Sequence, residues 1–87
     1  MPHSAQEKKR ALTRLRRIRG QAQALSLAIE QGSGCAAVLQ QIAAIRGAVN
    51  GLMAEVLESH MREEFGHLTD NAAGIDEAIA MVRSYLK

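Results

Sequence analysis

The stretch from Cys35 to Glu64 contains no proline, and its apolar residues recur at helical spacing. Cys35, Val38, Ile42, Ile45, Val49, Leu52 and Val56 step by three and four, the period of one helix face. Read as a single helix, the stretch is about 45 Å long at 1.5 Å per residue. Cys35 and His60, the residues best suited to chemistry, then lie about 37 Å apart. One protomer cannot bring them together unless the helix breaks. A site that uses both must form between chains, Cys35 of one copy against His60 of another.

If two such helices pack antiparallel with Cys35 opposite His60, the two-fold axis falls between Gly47 and Ala48. Small residues cluster there: Gly47, Ala48 and Gly51, preceded by Ala43 and Ala44. Interior glycine costs a helix up to ~1 kcal/mol relative to alanine, so the pair implies close backbone approach. The competing expectation is that these small residues pack against the chain's own first helix.

The 87 residues are read as one domain, 1–87. A chain of this size buries only about 60% of its unfolded surface, and a thin helical hairpin buries less. Hydrophobic content is 47% but aromatics are 2%, so Ala, Leu, Ile and Val must supply the core. That composition favours interlocked helices and assembly over a self-sufficient monomer. The lone cysteine cannot pair within the chain, and the sequence has no signal peptide or transmembrane run. A cytoplasmic protein with a reduced thiol is expected.

The net charge of +2 is unevenly spread. Residues 1–29 carry seven Lys/Arg against Glu7 alone, giving +6, whereas residues 30–87 carry four basic and eight acidic residues, giving −4. This asymmetry points to a polyanion-facing surface on the first element.

Ser4 followed by Glu7 has capping-box spacing and opens helix 1. Ala11, Leu15, Ile18, Ala22, Leu25 and Ile29 form its heptad-like seam. Lys9, Arg10, Arg16 and Arg17 lie away from that seam, with Arg14 at its border. Gln31-Gly32-Ser33-Gly34 is the turn into helix 2. Gly66 ends helix 2 beside His67, and Thr69 or Asp70 caps a short helix 3 with Ile75, Ala78, Ile79, Val82 and Leu86 as its apolar positions. The expected fold is all-α, a long antiparallel helical hairpin plus a short C-terminal helix. A hairpin turning near residue 33 brings Pro2 and His3 beside their own His60 and Glu64. The antiparallel partner then delivers Cys35 to the same end.

His60 and Glu64, four apart, share a helix face. Such a pair is common on surfaces, and a free cysteine is commonly a small core residue. Cys35 sits, however, at the first turn of helix 2, where the dipole favours an anion. The basic face of helix 1 exceeds what solubility requires, and phosphate binding accounts for it. Without a short recognition helix, duplex DNA would be read through backbone charge and shape. No Gly-rich phosphate loop, nucleophile elbow or carboxylate dyad is present, so an enzyme is not expected.

Three segments carry a resemblance to a known family: RLRRIRGQ (14–21), CAAVLQQIAAIRGAVNGLMAEVLESH (35–60) and the terminal RSYLK (83–87). Together they resemble the all-helical copper-, nickel- and formaldehyde-responsive repressors, the CsoR/RcnR/FrmR family. The resemblance implies a homotetramer, a dimer of antiparallel dimers, that binds operator DNA and releases it on sensing an effector. In that family the effector follows the positions matching His3, Cys35, His60 and Glu64. Nickel and cobalt sensors carry His at the last of these and copper sensors carry Cys. Pro2, Cys35 and Glu64 are similar to the formaldehyde-sensing branch.

A free Pro2 amine, exposed once Met1 is removed, would form a cationic iminium with formaldehyde. The Cys35 thiolate of a neighbouring chain would trap it as an N–CH2–S bridge, with His60 taking the thiol proton or stabilising the thiolate. No cofactor is required by this reading. The first alternative is a transition-metal sensor holding zinc or cobalt through His3, Cys35, His60 and Glu64. The second is a helical interaction module with no effector.

Overall fold

The computed structural model describes residues 4–65 and 72–86. Three helices follow in order: α1 (Ala5–Glu30), α2 (Cys35–Phe65) and α3 (Ala72–Tyr85), with no strand among the described residues. Pro2, His3, the Gly66–His67 helix end and the Thr69/Asp70 cap lie outside the described residues, as do the side chains of Glu64 and Ile75.

The Ser4 hydroxyl accepts the Glu7 backbone N–H at 3.0 Å and caps α1, as its spacing requires. At the other end Gly32 takes φ 74°, the left-handed conformation that closes a helix. Its N–H donates to the Ile29 carbonyl at 3.1 Å, and the Ser33 N–H donates to the Ala28 carbonyl at 2.9 Å. Those two bonds reverse the chain in four residues and lay α2 antiparallel along α1.

The facing surfaces follow three–four steps on both helices. On α1, Glu7, Ala11, Ile18, Gln21 and Leu25 are half-buried and Ala28 is buried. Opposite them lie Val38, Gln41, Ile45, Ala48, Leu52, Glu55 and the buried Ser59 of α2. The seam expected for α1 was therefore misplaced on one side. Leu15 and Ile29 are 50% and 59% exposed, and Ala22 is exposed as well. The apolar stripe of α1 is broader than one neighbouring helix can cover, and α2 packs on the edge carrying Ala11, Ile18, Leu25 and Ala28.

α3 packs on α2 through Ile79, Ala78 and Val82, leaving Met81 and Tyr85 outward. A charged clamp reinforces the contact. Arg62 of α2 reaches Asp76 of α3 at 2.8 Å and Glu58 at 3.4 Å, and Arg83 of α3 donates to the second oxygen of Glu58.

The interior is thin. Ala28, Ala54 and Ile79 are the buried apolar residues described, and no large side chain among them is fully enclosed. The radius of gyration is 16.5 Å, against about 12 Å for a compact domain of this length. Accessible area is 6388 Å², where a compact monomer of this mass exposes roughly 5,000 Å².

Candidate effector and nucleic-acid interface

Cys35 and His60 lie on one unbroken helix, as the proline-free pattern required. They share more than the helix. Cys35, Leu39, Ile42, Arg46, Val49, Met53, Val56 and His60 step by four and three within an arc of about 100°. All are exposed except the half-buried Val56. The apolar face anticipated on α2 is thus divided: Val38, Ile45 and Leu52 turn to α1, whereas Cys35, Ile42 and Val49 stand open. Cys35 is a free, exposed thiol.

At the far end of this stripe, α2 and the end of α3 enclose an apolar groove of about 570 Å³ lined by Val49, Leu52, Met53, Val56, Leu57, His60 and Leu86. His60 is the one ionisable group on its wall. Among the described residues, no three of His, Cys, Asp and Glu gather within one chain as metal ligands. A metal held by both Cys35 and His60 would therefore bridge two copies, and a thiolate with imidazole fits zinc or cobalt. Glu64 lies in the last turn of α2, and its side chain is outside the described residues, as are Pro2 and His3.

The small residues at mid-helix do not play the part expected of them together. An added Cβ at Gly51 would meet the guanidinium of Arg14 at 3.0 Å, so Gly51 makes room for the chain's own α1. Gly47 meets nothing within 4 Å and lies roughly 130° round the helix from the open stripe. The stripe's centre is formed instead by Arg46 and Val49.

On α1, Lys9, Arg10, Arg16 and Arg17 are exposed and make no ion pair among the described residues. Arg14 differs: its guanidinium pairs with Glu55 across Gly51. Lys9, Arg10, Arg14 and Arg17 border a second, polar groove of about 670 Å³, into which Arg62 and Arg83 also open. These last two were not legible in the sequence as part of a basic surface. Arg62 lies one turn from Glu58 and reads there as a solvated helix pair; only the docking of α3 brings Arg83 to the same carboxylate. The Arg83 hydrogen bond, opposed by partial burial and aided by Arg62, holds Glu58 below the ordinary range of a glutamate. Arg62 is held further toward its charged form, first by Asp76 and then by Glu58.

No helix among the described residues is long and apolar enough to cross a membrane. A family model described as a metal-sensitive transcriptional repressor matches residues 7–84. The transcriptional repressor RcnR of Salmonella paratyphi B is 43% identical over 90 residues, with both chains fully covered. An uncharacterized protein from the bioA 5′ region of Serratia marcescens is 50% identical over 91 residues, again with full coverage of both. Among solved structures, the E64H variant of the formaldehyde-responsive regulator FrmR from Salmonella enterica serovar Typhimurium is 50% identical, with a TM-score of 0.72. The match covers 97% of this chain and 99% of that one, and that regulator has glutamate at its own position 64, as this chain has Glu64. With matches that run nearly end to end in both sequence and fold, the chain belongs to the metal-sensitive transcriptional repressor family.

Proposed function

We propose that the protein is a homotetrameric repressor, a dimer of antiparallel dimers, whose α1 contacts the phosphates of duplex operator DNA. It releases that DNA when formaldehyde bridges Pro2 of one chain to Cys35 of another. The observation that carries this reading is the open stripe of α2, with Cys35 near one end and His60 near the other. Laid antiparallel on a second copy, the stripe sets Cys35 against His60, Leu39 against Val56, Ile42 against Met53 and Arg46 against Val49. Each of its eight positions falls on another of the eight. The start of α1 lies level with the His60 end of α2, because Gln6 and Glu7 border one groove with Ser59 and Arg62. Pro2 is four residues before Gln6.

The chemistry needs no oxidant or reductant. The secondary amine of Pro2 adds to formaldehyde, and the carbinolamine loses its hydroxyl group as water to give an iminium cation. The Cys35 sulfur attacks that carbon after His60 takes the thiol proton. One N–CH2–S bridge forms and one water leaves. A tie between the arm of one chain and α2 of another favours one arrangement of the dimer. DNA is released to the extent that this arrangement binds it less well.

Peptide mapping after formaldehyde treatment should find Pro2 and Cys35 of different chains joined through one added carbon. Cys35→Ala should bind DNA and ignore formaldehyde. Mixing Cys35→Ala with His60→Ala chains should regenerate intact sites in mixed dimers. Release of DNA with Cys35 unmodified would overturn the bridge.

The metal-sensitive description of the family and the likeness to RcnR favour a second reading, in which His3, Cys35, His60 and Glu64 hold zinc or cobalt between chains. Glu64→His should then raise nickel or cobalt affinity, because imidazole suits those ions better than a carboxylate. Unchanged affinity in equilibrium titration would remove Glu64 from that site.

A further inference from the structure

The two oxygens of Glu58 are shared between guanidiniums from two helices. Oε1 accepts from Arg62 of α2 at 3.4 Å, and Oε2 accepts from Arg83 of α3. The carboxylate therefore occupies a seat for a two-oxygen anion between two arginines, of which Arg62 also donates to Asp76 at 2.8 Å. The non-bridging oxygens of a DNA phosphate present the same pair of acceptors. The seat opens into the polar groove that Lys9, Arg10, Arg14 and Arg17 border from α1. Six cations line that groove against three carboxylates, Glu7, Glu55 and Glu58, and Asp76 pairs with Arg62 from beyond the lining, so the net charge stays positive even with every internal pair made.

Position and accessibility agree. Glu58 and Arg62 lie roughly 160° round α2 from the centre of the open apolar stripe, so a second copy seated on the stripe leaves the groove uncovered. The Arg62 and Arg83 side chains are 51% and 46% exposed. Both guanidiniums are open to solvent, where ion pairs are weak, and an incoming phosphate can compete with the carboxylate for them.

We propose that Arg62 and Arg83 are phosphate contacts of the DNA interface, and that Glu58 is their internal counter-ion, displaced when DNA enters the groove. This rests on the DNA-binding reading of α1 and extends the interface to α2 and α3. Because Arg83 rides on α3, DNA in the groove also acts on the helix whose end, Leu86, closes the apolar groove beside His60. The interface and the effector end of the molecule then share one helix.

The test uses fluorescein-labelled duplex DNA of random sequence, titrated by anisotropy over a series of KCl concentrations. Wild type is compared with R62Q, R83Q, E58Q and R17Q. R62Q and R83Q should each weaken binding roughly tenfold and flatten the slope of log affinity against log salt by about 0.9. E58Q should tighten binding. A clamp with a purely structural role differs at E58Q, because all three substitutions then loosen α3 and weaken binding together. Unchanged or weaker binding by E58Q overturns the proposal, as do wild-type salt slopes for R62Q and R83Q. R17Q separates this from the α1 reading. A flattened slope for R17Q alone overturns the inference and keeps α1 in the interface; flattened slopes for R62Q and R83Q but not R17Q do the reverse.

Discussion

At the scale of single residues, Glu58 shows how position rather than type decides a role. Its carboxylate is held below the ordinary glutamate range, chiefly by the Arg83 hydrogen bond, against the opposing effect of partial burial. A group whose native pKa is depressed contributes stability that is complete above its unfolded pKa. That contribution is lost as pH falls through the lower native value. The docking of α3 should therefore weaken in acid, below about pH 4.3 where an unfolded glutamate titrates. Thermal melts followed by circular dichroism should show E58Q losing less stability than wild type between about pH 6 and about pH 3. Equal losses would mean that the clamp does not hold α3. Arg14 belongs to the same scale. Its border position on α1 was readable from the 100° step, but its commitment to Glu55 depends on the space that Gly51 leaves.

At the scale of elements, the turn between α1 and α2 sets the register on which every later contact depends. Gly32 is the residue that must adopt a positive φ, whereas Gly34, two residues on, does not. Gly32→Ala should cost about 1–2 kcal/mol, the penalty of a left-handed backbone for a residue with a Cβ. Gly34→Ala should cost less, and chemical denaturation of the two variants would measure the difference. Equal costs would place the strain elsewhere in the turn. Helix number, the Ser4 cap, this turn and the continuity of α2 were all legible, because local spacing and local hydrogen bonds fix them. The facing edge of α1 was not. Leu15, Ala22 and Ile29 are as apolar as the residues that α2 covers, and periodicity alone cannot choose between two edges of a broad stripe. Gly51 followed the competing expectation for a related reason. Gly51 serves a long-range contact with Arg14, and a small residue in a sequence does not say which neighbour it admits.

At the scale of the whole molecule, the protomer is open, and the assembly proposed above would cover part of what it exposes. Its area exceeds that of a compact monomer by roughly 1,400 Å², and Leu39, Ile42, Val49 and Met53 stand exposed along a single face of α2. An unfolding equilibrium that depends on assembly depends also on concentration. The melting temperature should rise with protein concentration over a range in which that of a monomer would stay fixed. Met53 sharpens the test. It is 50% exposed in the protomer, so Met53→Glu would be nearly neutral if the chain worked alone, within about 0.5 kcal/mol. In the proposed antiparallel pairing Met53 would meet Ile42 of the second copy, and a glutamate there would be buried without a partner at a cost of several kcal/mol. Met53→Glu should therefore sediment as a smaller species, lose its dependence of melting on concentration and bind duplex DNA weakly despite an untouched basic face. Ile42→Glu, at the matching position, should behave alike, and Tyr85→Glu, on the outward side of α3 away from the stripe, should not. A Met53→Glu protein with wild-type sedimentation would place the contact between copies on another face, and the inter-chain site of Cys35 and His60 would lose its foundation.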